Sequence, residues 1–316
     1  MTKQKKKGRL GNFILVLILI VGLSLLLYPS FSDYWNSFHQ SRAISTYMES
    51  VSRMDTSAYD AIMSSARAYN DSLYTGEFRW FLTDEEQEAY NRELNFNNDG
   101  NMGFITIDKI HVQLPIYHGT AESVLQTSIG HIDWTSLPVG GEGSHCVLSG
   151  HRGLPSAKLF SDLDKLVEGD VFSLSVLNEM FTYQVDQIRV VEPEDITELQ
   201  IVPGMDYCTL VTCTPYGINT HRLLVRGHRV ENPQGDAKVV ADAMQIDSMY
   251  VIPFVFVPIL LLLLIVLILR TGGKNRRRES YARLLDWKRE MERDAREERA
   301  AQAGEDSRPR DGGSRE

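Results

Sequence analysis

The sequence predicts a mostly β domain of about 130 residues, a closed barrel or a sandwich, carried on a helical stalk between two membrane-spanning segments. Three observations predict it. Two uncharged apolar blocks lie toward the ends of the chain, FILVLILIVGLSLLLY over 13–28 and YVIPFVFVPILLLLLIVLIL over 250–269. Between the first block and about Tyr74, Gly and Pro are scarce and apolar residues recur at helical spacing. From Gly103 onward the chain divides into short β-like runs separated by turn-rich segments.

A membrane-crossing helix needs roughly 20 apolar residues, with about 17 as the practical minimum. The second block meets this despite Pro253 and Pro258. The first is at the short limit, where a signal peptide is the alternative; the following LYPSFSDYW has no small-x-small cleavage site, which favours an uncleaved anchor. Lys3, Lys5, Lys6, Lys7 and Arg9 precede the first block, and Arg270, Lys274, Arg276, Arg277 and Arg278 follow the second. Basic flanks tend to stay cytoplasmic. The expected layout is a cytoplasmic 1–11, an anchor over 12–29, a stalk over 30–100, the β domain over 101–232, a linker over 233–248, a second span over 249–270 and a cytoplasmic tail over 271–316. Both termini are then inside and the β domain is outside, with the lipid bilayer as a partner.

Charge sharpens this layout. The first eleven residues hold five basic groups, and residues 270–316 hold fourteen basic and eleven acidic. Removing these from the totals of 33 and 42 leaves fourteen basic against thirty-one acidic for residues 12–269, a net charge of −17. Such a domain is a poor nucleic-acid binder, since phosphate contact requires a basic face. It suits basic partners or simple solubility. Cys146, Cys208 and Cys213 are too few for a disulfide scaffold and match no zinc spacing.

Within the stalk, Ile44, Tyr47, Met48, Val51 and Met54, then Ala61, Ile62, Ala66 and Tyr69, predict one or two helices. TDEEQEAYNREL predicts a short helix with Thr83 as its N-cap. The expected strands are GFITIDKI, VQLPIY, HCVLSGH, DVFSLSVL, FTYQVDQIRVV, DYCTLVTCT and HRLLVRGHRV, with short helices at AKLFSDLDKL and EDITEL. A mixed-charge helix is expected over 277–301.

The chemistry concentrates in TLVTCTPYGINTHRLLV, residues 209–225. Cys213 ends a strand, a turn follows, and Arg222 opens the return strand, so a hairpin brings the two together. A strand cysteine is usually a small core hydrophobe. Here the open strand end and the nearby guanidinium favour a thiolate, and the guanidinium could later stabilise an oxyanion. A thiol nucleophile also needs a proton carrier near neutral pH, which histidine provides. His151 lies at a strand end entering a Gly-Pro turn, just as Cys213 does; by spacing alone His221 is its near equal.

VLSGHRGLPSAKLFSDLDKLVEGDVF followed by TLVTCTPYGINTHRLLVRGHR resembles the sortases, specifically the pilus-assembling class C type. GFITIDKI, LPIYHGT and SLPVGGEGSH fit the same family, over about residues 65–232. The resemblance implies an eight-stranded barrel in which the histidine and cysteine strands lie side by side and parallel. It implies Cys213, His151 and Arg222 as the catalytic set, and no metal or organic cofactor. The implied partners are pilin or surface-protein substrates bearing an LPxTG-like motif. Ile196, Leu199 and Ile201 would wall the substrate groove, with Thr212 and Thr214 contributing polar groups. If the two strands are in register, Cys146 and Cys208 become neighbours; two buried thiols are expected, because adjacent parallel strands suit disulfide geometry poorly.

Class C enzymes often carry an Asp-Pro-aromatic lid. YNDSL, Tyr69–Leu73, resembles the segment before it, but TGEFRWFLTDEE follows without an Asp-Pro pair. Either Phe78 or Trp80 covers the cleft, or the enzyme is lidless, or these aromatics are core. Three rival functions remain: a sortase joining surface proteins to the cell wall, a non-catalytic extracellular binding module, and a hydrolytic cysteine protease.

Overall fold

The computed structural model describes residues 4–75, 80–232, 281–297 and 299. Phe78, the linker and the second expected span lie outside these residues. The chain divides into two units after Gln245. In the second, residues 281–297 form a helix inside the range expected for the mixed-charge tail.

The first unit begins with α1, Gln4–Ser52, one continuous helix rather than an anchor followed by a separate stalk. Its N-terminal part is long and apolar enough to cross a membrane. Asp33, Asn36, Gln40, Ile44, Tyr47 and Val51 recur at three- and four-residue steps and form its barrel-facing side. After a turn at Arg53–Asp55, α2 runs over Thr56–Thr75, its first turn capped by Asp55 Oδ1 accepting from Ala58 N at 2.7 Å. α2 buries Met63, Ala66 and Asn70. The Asn70 amide accepts from Leu137 N at 2.7 Å and donates to Leu137 O at 3.1 Å, imitating a strand partner. α3, Asp84–Arg92, starts at Thr83 as expected, with a complete capping box between Thr83 and Glu86.

Eight strands close into a barrel: β1 Asn101–Ile107, β2 Val112–His118, β3 Ile129–His131, β4 Ser144–Ser149, β5 Val171–Val176, β6 Glu179–Val191, β7 Asp206–Thr214 and β8 His221–Val230. Their order around it is β1-β2-β3-β4-β7-β8-β6-β5. The expected runs supply seven of the strands; β3 is the one the periodicity did not announce, being three residues long, and α4, Glu122–Leu125, precedes it. Alternation assigns the two faces of each strand. Cys146, Leu148, Cys208, Leu210, Leu223 and Val225 join the barrel core with Phe172 and Tyr183. Val147, Val211 and Leu224 alternate with them and form a separate cluster outside the barrel.

Two expected helices are corrected. AKLFSDLDKL is a series of turns with a 3-10 turn at Leu163–Lys165. Leu159 takes a positive φ of 39°, which interrupts a helix and drops Leu159, Phe160 and Leu163 into the core. EDITEL holds a single 3-10 turn at Thr197–Leu199, because the Asp195 side chain accepts from Thr197 N at 3.0 Å and makes a local turn instead.

Candidate active site

β4 and β7 are parallel neighbours with Ser149 opposite Val211. The pairing continues past the strand: Gly150 N donates to Val211 O at 3.0 Å, and Thr212 Oγ1 donates to Gly150 O at 2.8 Å. Two residues beyond the Ser149–Val211 pair, His151 comes alongside Cys213. Across the β7–β8 hairpin, Cys213 is paired with Arg222. Directly paired residues project to the same face, so Cys213 and Arg222 share one side of the sheet, the side that the β4 alternation, continued past Ser149, gives His151. They continue the outward rows of Val147, Val211 and Leu224, and the site lies on the barrel's outer surface at one end.

Gly150 makes this approach possible. A Cβ there would come within 2.7 Å of the Phe160 ring and 2.9 Å of Ile129. The loop after His151 is then held from several sides. Gly153 N donates to Ser161 Oγ at 3.0 Å, and Gly153 itself, at φ +77°, lies under the Tyr216 ring. Arg152 pairs with Asp164 and donates to Thr214 Oγ1 at 3.4 Å. His151 Nε2 lies 3.7 Å from the Glu122 carboxylate on α4. Arg222 Nη1 donates to His221 O at 3.2 Å, directing the guanidinium at the hairpin end. His221, the alternative proton carrier, is paired with Thr214, one residue out of step with Cys213 and so on the opposite face; its Nε2 lies 3.2 Å from Glu192.

Below the site, Val147, Val211 and Leu224 form an apolar floor with Leu199, and Ile132, Trp134, Val191 and Ile196 pack against it. Of the expected groove residues, Ile196 and Leu199 belong to this cluster, whereas Ile201 is half-buried beyond it. Thr212 is on the inner face; its hydroxyl serves the Gly150 carbonyl and does not open on the groove. Trp134, Glu122 and Arg152 were not anticipated. The segment carrying Leu199 is pinned by His145, whose Nδ1 donates to Gln200 O at 2.9 Å while its Nε2 accepts from Thr209 Oγ1 at 2.7 Å. Burial pushes the His145 pKa down to about 4, so the ring is neutral near pH 7.

Cys146 and Cys208 are directly paired on β4 and β7, buried and unbridged. Burial pushes the Cys208 thiol well above its usual range. Trp80 is 57% exposed. Tyr74, at the end of α2, packs on Gly143, at the end of β4 away from His151.

Residues 105–230 match the sortase domain. Among solved structures, sortase C1 from Streptococcus agalactiae is 58% identical, with a TM-score of 0.60, covering 60% of this chain and 99% of that one. Clostridium perfringens sortase C with the C-terminal cell wall sorting motif is 43% identical, with a TM-score of 0.54 and coverage of 60% and 99%. Among curated proteins, sortase A of Streptococcus agalactiae serotype III is 26% identical over 221 residues, 68% of this chain and 84% of that protein.

Proposed function

We infer the reaction from one premise: the chain belongs to the sortase family and is a cysteine transpeptidase. Its reaction is a two-step acyl transfer on an LPxTG-like sorting motif, performed outside the cell from a membrane anchor. The Cys213 thiolate attacks a backbone carbonyl of the motif, and the C–N bond breaks to leave a thioacyl enzyme. His151 donates the proton that the departing amine takes. An incoming lysine amine of a pilin subunit then attacks the thioester while His151 accepts its proton, and the Cys213 thiolate leaves. The product is an isopeptide bond between subunits. Arg222 stabilises the oxyanion in both steps.

The observation that carries this reading is the strand register: Cys213 is paired with Arg222, and the parallel β4–β7 pairing, which runs to Ser149–Val211, supports His151 as the neighbour of Cys213 two residues farther on. The apolar floor of Val147, Val211 and Leu224, with Ile196 and Leu199 on its wall, supports a groove for the leucine and proline of the motif. The likeness to the sortase C1 of GBS Pilus Island 1, 38% identical with a TM-score of 0.56, supports pilin as the acceptor source.

The test incubates the purified chain, in detergent, with an LPxTG peptide and a lysine-bearing pilin fragment, and follows the products by mass spectrometry. The expected result is a thioacyl adduct on Cys213 and a transfer product, both missing in Cys213→Ala. Transfer to a peptidoglycan-precursor amine in preference to the pilin lysine would point to cell-wall attachment. Release of free acid alone would indicate a protease, and no adduct a binding module. The exposure of Trp80 argues against Trp80 as the cover of the cleft, so Trp80→Ala should leave the labelling rate of Cys213 by thiol reagents unchanged.

A further inference from the structure

α1 runs unbroken from its apolar part onto the barrel, so its contacts fix how the barrel stands on that part. Asp33 Oδ1 accepts from Lys158 N at 2.8 Å, and Asn36 Nδ2 donates to Ser156 O at 2.8 Å, both in the loop that follows His151. Gln40 Nε2 donates to Thr127 O at 2.5 Å, just before β3. Farther along the helix, Tyr47 OH donates to Met102 O and accepts from Leu177 N. Met102 opens β1 and Leu177 forms the β5–β6 turn. β1 is antiparallel to β2, β2 parallel to β3 and β3 antiparallel to β4, so β1 points the same way as β4 and β7. Met102 and Leu177 therefore mark the end of the barrel opposite Cys213. The helix meets the catalytic end first and the distal end last.

The apolar block over 13–28 is also short: its 16 residues give about 24 Å of helix, against roughly 30 Å of bilayer hydrocarbon. The residues that follow can make up the difference. Phe31, Trp35 and Phe38 are 65%, 55% and 55% exposed, and Phe31 stacks on Trp35 at 6.3 Å. Phe31 lies two residues before the barrel-facing Asp33, Trp35 two after it and Phe38 two after Asn36, which puts all three on roughly the opposite side of the helix. A span of about 20 residues beginning near residue 12 would place Phe31 at the hydrocarbon edge. Trp35 would then lie about 6 Å farther out, within the headgroup layer, and Phe38 about 10 Å farther out, just beyond it. At the same end of the barrel, Tyr216 and Ile218 in the β7–β8 turn are exposed apolar side chains.

We propose that the catalytic end of the barrel faces the bilayer, with Phe31 and Trp35 seated among the lipid headgroups, so that the substrate groove opens at the membrane surface. This rests on α1 being the retained anchor of a sortase. A substrate tethered to the same bilayer then meets Cys213 at headgroup height. The partner is the lipid surface itself, selected by continuity with the apolar helix and by aromatic side chains suited to an interface.

Energy transfer to the membrane tests the orientation. The full chain is reconstituted into phosphatidylcholine–phosphatidylglycerol vesicles containing a rhodamine-labelled lipid. A fluorescein donor is placed either on Cys213 or, in a Cys213→Ala background, on Asn178→Cys at the distal β5–β6 turn. Nine residues of β7 separate the two ends by about 30 Å. Transfer several-fold greater from Cys213 is expected. Equal transfer, or more from position 178, in protein that floats with the vesicles overturns the orientation and leaves the anchor standing. Protein that fails to float overturns the anchor reading and the proposal with it. Transpeptidation by the same unlabelled protein reports separately on the proposed reaction.

Discussion

Arg152 follows His151 directly, and its guanidinium reaches the Asp164 carboxylate, the Thr214 hydroxyl at 3.4 Å and the face of Tyr216 at 5.8 Å. It thereby ties the residue after the proposed proton carrier to the residue after the proposed nucleophile. Removing it frees the His151 loop to shift against the Cys213 strand. Charge-assisted hydrogen bonds contribute about 1.5–3 kcal/mol, and the half-exposed Asp164 argues for the lower figure. Arg152→Ala should therefore lower kcat about tenfold in the transfer assay while KM changes little. Arg152→Lys should recover little of it, because an ammonium cannot reproduce the planar fork. At the same scale, the buried Cys146 and Cys208 should resist alkylation in the folded protein. Iodoacetamide should modify Cys213 alone under native conditions and all three thiols after denaturation; a mass showing two fewer alkylation sites in the denatured sample would instead reveal a Cys146–Cys208 bond.

The β6–β7 connection shows what an element-level anchor does. Neutral His145 donates to Gln200 O in this connection and accepts from Thr209 Oγ1 on β7, which ties the connection to the sheet. The folded His145 pKa of about 4 lies below an unfolded value near 6.5, so between these pH values the unfolded chain binds more protons than the folded one. Stability from this residue is complete above about pH 6.5 and is lost as pH falls through that window, by up to about 1.4 kcal/mol per pH unit. His145→Gln should flatten the fall in Tm between pH 6.5 and 4, measured by circular dichroism, and should raise KM for the sorting peptide through the loosened Gln200–Leu199 segment. The legible parts of the site are those carried by single strands and one hairpin. Cys213 and Arg222 could be read from a strand-turn-strand pattern, whereas spacing left His151 and His221 near equals and the family resemblance chose His151. Trp134, Glu122 and Arg152 could not, because they arrive through the three-residue β3, the single-turn α4 and a loop that packs by tertiary contact rather than by period. For the same reason AKLFSDLDKL reads as a helix in sequence and folds as turns: its apolar residues are claimed by the barrel core.

At the scale of the whole molecule, the sequence separates an anchor from a stalk, yet α1 joins them into one lever held against both ends of the barrel. Apolar spacing picked out Ile44, Tyr47, Val51 and Ala66, which are buried, but also Met48 and Ala61, which are exposed, and it passed over the buried Met63. Nor could it show that Asp33 and Asn36 contact the loop after His151, which depends on where the helix is docked. Tyr47 secures the far end. Its buried hydroxyl donates to Met102 O at 2.9 Å and accepts from Leu177 N at 2.7 Å, satisfying backbone groups of β1 and of the β5–β6 turn at once. In Tyr47→Phe both backbone groups lose their partner, at about 1–3 kcal/mol each. For a unit of this size each kcal/mol displaces Tm by about 2–4 °C, so Tm should fall by about 4–24 °C. The hydroxyl is at the end of the barrel away from Cys213, so turnover per folded molecule at 25 °C should be unchanged. A single cooperative transition at the lower temperature would show that stalk and barrel unfold together. Two transitions, the upper one at the wild-type Tm, would mean that the barrel stands without the helix, and the coupling of α1 to the catalytic end would then be too weak to set its orientation.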